Sequence, residues 1–206
     1  TGIVSGFGGE TLESFTQLNK VLGFSTSEAA NLSLLSRTQG KNTEDILNNA
    51  SKTVGVFNKQ NGLAINAKGI LSDVANTSKA IQVSLDSNPE ALAKAATAAK
   101  ALGLSLNDVD QIAGSLLNFE ESISAQMQFE LLSGKQINFE KARTLALNNN
   151  LEGLSEEIKN NAALTEVFTT GNRIQQEGAA KALGMSREQM AEMVQKQQFL
   201  KLGQEE

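Results

Sequence analysis

Histidine, cysteine, tryptophan and tyrosine are all missing from this chain of 206 residues, and proline occurs once. Without cysteine there can be no disulfide framework and no thiolate-held zinc, which leaves the redox compartment open. Without histidine the commonest general base and metal ligand is gone, and with it the Ser-His-Asp and Cys-His nucleophile schemes. Any catalysis would have to come from carboxylates, lysine, arginine or hydroxyls. The only aromatic residues are nine phenylalanines. The core must therefore be built from Leu, Ile, Val and Ala, which suits helix-on-helix contacts. Clustered cations are lacking too, and the formal net charge is −5. A surface that tracks phosphates needs such clusters, so direct nucleic-acid binding is not expected. No stretch approaches the roughly 20 apolar residues of a membrane span. The short apolar start before Gly6 does not make a secretory signal. The chain opens on Thr1 rather than Met and reaches Glu206 on a helical pattern, so it is expected to be a piece of a longer parent chain.

What is present is a phrase used three times: Val21-Leu22-Gly23-Phe24-Ser25, Ala101-Leu102-Gly103-Leu104-Ser105 and Ala182-Leu183-Gly184-Met185-Ser186. In each, Leu closes a helix and Gly takes the left-handed conformation that ends it. Ser then caps the next helix, and Glu28, Asp108 or Gln189 stands three positions on, where a capping box needs it. The glycines are 80 and 81 residues apart. That spacing fits two divergent units of about 80 residues; a good corner reused by chance fits it as well.

Periodicity of 3.6 fills in the rest. Leu12, Phe15, Leu18, Val21 and Leu22 mark a first helical face, Ala29, Leu32 and Leu35 a second, and Ile46, Leu47, Ala50, Val54 and Phe57 a third. Residues 63–86 read as helix, with a short strand as the alternative. Asn88-Pro89-Glu90 is a firm helix start: an N-cap, proline in the first turn, then an acid. Ser105 opens the longest candidate helix, carrying Val109, Ile112, Ala113, Leu116, Ile123, Met127, Leu131 and Leu132 on its apolar side, with Gly114 as a kink point. Shorter helices follow from Asn138, Leu151, Asn172 and Ser186. The expected fold is all-α, a compact bundle or short array of about ten helices joined by Gly/Ser corners. Its parts are a glycine-rich irregular start (1–9), a first helical unit (10–102), a second (103–183) and a terminal helix (184–206). The structural positions are Gly23, Ser25, Gly103, Ser105, Gly184, Ser186, Asn88 and Pro89.

Carboxylates are the surviving route to chemistry. Glu121-Ser122 is similar to the Glu-Ser pair of lytic transglycosylases, where one Glu serves as acid and base on a glycosidic bond. The Gly-Leu-Met-Gln segment expected downstream is missing, so a solvated helix face is favoured. Glu120, Glu130 and Glu140 cannot complete a di-iron bundle without Glu-x-x-His pairs. No calcium loop is present, and Gly6-Phe7-Gly8-Gly9 lacks the ending of a phosphate loop. Met127, Met185, Met190 and Met193 could form an adaptable face, although the spacing of Met190 and Met193 favours core packing. No catalytic residue, metal or cofactor is expected.

Several segments of the second half resemble phage tail tape-measure proteins. They are residues 98–105, Phe119 to Ile123 through Glu130 to Lys135, Asn138 to Arg143, and Arg173 to Glu177 leading into Ala179 to Glu188. The resemblance covers about half of the chain, roughly 98–195, and rests on helix-and-corner phrases. It implies a mostly helical virion protein of the phage tail, whose length sets tail length and which acts without an active site. The partners it implies are other tail proteins or further copies of the chain, met through apolar helix faces; membrane contact is not expected. The tube-filling part of that family runs in long heptads, whereas this chain breaks every 10–25 residues. The resemblance therefore implies a compact helical module rather than the extended ruler. A cellular or secreted helical interaction module of flagellar type, and a tail-borne cell-wall hydrolase, are the alternatives.

Overall fold

The structure, a computed structural model, describes residues 9–202, with the side chains of residues 10, 11, 201 and 202 outside the description. The irregular start expected over 1–9 thus lies outside the described residues, save Gly9, which opens the first helix. Among the described residues there are thirteen α-helices and no strand. Contacts divide the chain into two compact units, residues 1–97 and 98–206.

In the first unit, α1 (Gly9–Thr16) runs into a π-helical turn (Gln17–Val21), followed by α2 (Thr26–Thr38), α3 (Thr43–Asn61), α4 (Ala67–Ala75), α5 (Lys79–Ser84) and the start of α6 (Pro89–Ala101). The stretch 63–86 is helical in both its parts, α4 and α5. Helix α2 packs on α1 and α4, and α3 packs on α4. Their core is small and branched: Ala29, Leu32, Ile46, Val54, Ile70 and Val74 are all buried. Polar side chains join the helices where apolar ones do not. Asn31 Nδ2 donates to the Ala75 carbonyl at 2.9 Å. The Asn58 amide makes a two-way bond with the Ile65 backbone, at 2.8 and 3.0 Å, which fixes the α3–α4 loop.

The second unit begins within α6 and continues through α7 (Leu106–Leu117), α8 (Phe119–Ser133), α9 (Glu140–Leu147), α10 (Leu151–Asn160), α11 (Ala162–Thr170), α12 (Arg173–Ala182) and α13 (Arg187–Leu202). Helix α7 packs on α9 and α10, and α12 packs on α8 and α11. Val109, Ile112, Leu116, Phe129, Leu154 and Leu164 fill the interior. The α8–α9 loop is tied down by Gln126 Nε2, which donates to the Ile137 carbonyl at 2.7 Å, and by Glu130, which accepts from the Ile137 amide at 3.1 Å. Arg143 donates to Ser122 Oγ at 2.9 Å and to Gln126 Oε1 at 3.0 Å. Its guanidinium lies 6.0 Å from the Phe139 ring, and burial lowers its pKa.

One sequence expectation is corrected here. The long helix from Ser105 is two helices, and the break falls at Asn118 (φ −77°, ψ 80°), not at Gly114, which stays inside α7. Backbone at Asn118 leaves the helical region, so the rotational phase of α7 is not inherited by α8. Val109, Ile112 and Leu116 point inward as expected, but Ile123, Met127 and Leu131 do not. The inward side of α8 is Ser122, Ala125 and Phe129.

Candidate functional site

The three corners share their capping chemistry. Ser25, Ser105 and Ser186 each accept a backbone N–H from three residues on, at 3.3, 3.2 and 3.1 Å. Glu28, Asp108 and Gln189 each accept the serine's own N–H at 2.8 Å. Gly23, Gly103 and Gly184 have φ of 67°, 78° and 68°, in the left-handed region where a Cβ is penalised. Asn88 Oδ1 accepts from the Glu90 amide at 3.0 Å, and Pro89 opens α6 as a buried first-turn residue.

The closing bonds then separate the corners. At the second and third, Leu104 N–H returns to the Ala99 carbonyl and Met185 N–H to that of Ala180, both at 3.0 Å. These are the same five-residue return, in the phrases Ala98–Ser105 and Ala179–Ser186, which differ only at Leu104 and Met185. At the first corner the return is one residue wider. Phe24 N–H reaches back to the Leu18 carbonyl at 3.1 Å, and Leu22 N–H to Gln17 in the π turn.

In the second unit the two corners also abut each other's helices. A Cβ on Gly103 would lie 2.7 Å from Lys196 Cβ and 2.7 Å from the Met193 carbonyl oxygen, both on α13. A Cβ on Gly184 would overlap the side chain of Ser115 on α7. Ser115 stands twelve residues after Gly103, and Lys196 twelve residues after Gly184. The contact is therefore reciprocal: each corner receives the helix that the other corner starts, at the same distance along it. Gly23 has no such neighbour. A Cβ there would meet only Lys68 Nζ at 3.4 Å, at the end of a flexible side chain that also donates to the Gly23 carbonyl at 3.2 Å.

Glu28 does more than cap α2. Its carboxylate also accepts from the Ser72 hydroxyl and from Asn76 Nδ2 on the far side of the α2–α4 contact. The Ser72 bond chiefly, then those from Ser25, hold its pKa down at about 2 against the opposing effect of burial.

The carboxylates weighed for chemistry do not converge. Glu120 and Glu121 are exposed and line an open groove of about 920 Å³ shared with Ser115, Lys181 and Ser186. Glu130 is engaged with the α8–α9 loop, and Glu140 is exposed. No cluster of three metal-ligating side chains occurs among the described residues. Met190 and Met193 are core, Met185 is half-buried and Met127 is exposed. Among the described residues no helix is long and apolar enough to cross a membrane.

The feature that sequence reasoning missed is on α8. Phe119, Ile123, Met127 and Leu131, spaced by four, are 51, 47, 64 and 85% exposed and form one outward row. The other side of α8 is covered. Gln175 Nε2 donates to the Leu132 carbonyl at 3.0 Å, and Gly178 lets the Leu132 side chain press against α12. The break at Asn118, once known, would have revealed the row, because the apolar positions of α8 then split between two faces. Compared with known proteins, the chain matches no family model, no curated protein and no solved structure.

Proposed function

We propose that the chain is a non-enzymatic structural module of a phage tail tape-measure or tail-associated virion protein. It acts by helix-to-helix packing during tail assembly, length determination or genome ejection. The observation that carries this reading is that every segment resembling tape-measure proteins, from Ala98 to Glu188, falls inside one compact unit, residues 98–206. The likeness then belongs to a folded module rather than to scattered helices. An outward apolar row on α8 suits a part that works by being packed against.

Mass spectrometry of purified virions from the phage or prophage that carries the gene provides the test. Peptides of this chain in gradient-purified tails, and loss or altered length of tails when its reading frame is deleted, are expected. Intact tails of normal length that lack the chain would remove the phage assignment and leave a cellular helical interaction module. The hydrolase alternative has its own measurement, peptidoglycan release from purified walls. The exposed position of Glu121 on an open groove leads us to expect no release by the wild type or by Glu121→Gln.

A further inference from the structure

The outward row of α8 covers about 18 Å of helix, taking 1.5 Å per residue over the twelve steps from Phe119 to Leu131. Its four half-exposed to exposed side chains present on the order of 400 Å² of apolar surface, the size at which a patch on a monomer is commonly functional. The charge along α8 itself is of one sign. From Phe119 to Gly134 there are three glutamates, Glu120, Glu121 and Glu130, and no lysine or arginine. At about 100° per residue, Glu120 projects between Met127 and Leu131, and Glu130 between Phe119 and Ile123. Both acids therefore border the row itself. Lys135 is paired with Glu166 at 2.6 Å, Arg143 is held by Ser122 and Gln126, and Lys181 lines the open groove with Glu120 and Glu121.

From this geometry we infer that the α8 face is a docking site for a cationic amphipathic helix of another protein. Such a helix would carry apolar residues at i, i+4 spacing bordered by lysine or arginine. Ridges of that spacing interlock at a crossing of about −50°, and the basic border would sit against Glu120 and Glu130. The charge pattern argues against the two other occupants. A second copy related by a twofold axis would pair Phe119 with Leu131 and Ile123 with Met127, but would also set Glu120 against Glu130 twice. An anionic membrane surface would meet the same acids. The inference shares with the proposed function only the premise that helix faces do the work. A chain found in tails that ignores the peptide below would sink the inference alone.

The experiment uses the 206-residue chain and two fluorescent helical peptides. Both carry four leucines at i, i+4 spacing, one bordered by lysines and the other by glutamates. The lysine peptide is expected to bind saturably, with Kd on the order of 10 μM, and more weakly as salt is raised. Leu131→Ser and Met127→Ser should each weaken it at least about fivefold, and Glu120→Gln about two- to threefold, with a shallower salt dependence. All three positions are exposed, and unchanged circular dichroism would show that the variants fold. The glutamate peptide should not bind. Equal binding of both peptides, binding of neither, or full binding by the Met127→Ser/Leu131→Ser double variant would overturn the inference. So would a dimer in sedimentation that Leu131→Glu dissolves, or association with vesicles of anionic lipid.

Discussion

The first corner, at Gly23, and the two at Gly103 and Gly184 follow one local recipe yet carry different loads. All three have the left-handed glycine and the reciprocal serine cap. Only in the second unit does the glycine also make room for a neighbouring helix. A glycine that turns the chain can be replaced for the cost of its dihedral angle. One that also seats a helix cannot.

Substitution by alanine separates the two duties. Gly103→Ala should cost most, about 4 kcal/mol. It combines the left-handed penalty with overpacking against the Met193 carbonyl, a backbone atom that no side-chain change can remove. Gly184→Ala should cost about 3 kcal/mol for the same two reasons. Here the obstacle is a side chain, so Gly184→Ala on a Ser115→Gly background should recover about 1–2 kcal/mol as a coupling energy. Equal costs in the two backgrounds would show that the reciprocal contact is not holding the corner. Gly23→Ala should lose only the dihedral term, about 1–2 kcal/mol. Urea unfolding followed by circular dichroism measures all of these variants, with Ser115→Gly alone as the reference for the double variant.

The smallest expected effect belongs to the first corner's own tie, Glu28. Its native pKa of about 2 lies below the ordinary 4.5. The stabilisation is therefore present above pH 4.5 and is lost as pH falls towards 2. Glu28→Gln should be less stable than wild type by about 1 kcal/mol at pH 7, and the gap should narrow steadily below pH 4.5. A gap that stays constant down to pH 3 would mean that the Ser72 and Asn76 bonds do not depend on the carboxylate charge.

Helix starts and stops were legible because they are local. Ser25, Asn88, Ser105, Asn172 and Ser186 each announce a first turn, and the left-handed glycines announce the ends. The all-α class followed from the same signals. Three things were not legible, each for a non-local or geometric reason. The wider return at Gly23 is written with the same Leu-Gly-apolar-Ser pattern as the tighter ones. The pairing of Gly103 with Lys196 and of Gly184 with Ser115 joins residues far apart in the chain. The outward row on α8 was hidden by continuing the α7 stripe through Asn118: Ile123, Met127 and Leu131 do extend the stripe of Val109, Ile112 and Leu116 if the helix is unbroken. The inner face, Ser122 and Ala125 with Phe129, is half polar and competes only weakly with that stripe.

The mutual seating of the two glycines bears on how the second unit folds. Neither seat exists until the other arm has arrived, and the arms are separated by most of the unit's length. Local helix formation can be quick, but this closure needs a contact of long sequence separation, which slows folding relative to bundles built from neighbours. The seating of each corner on the other's helix is thus expected late in folding, and its opening early in unfolding.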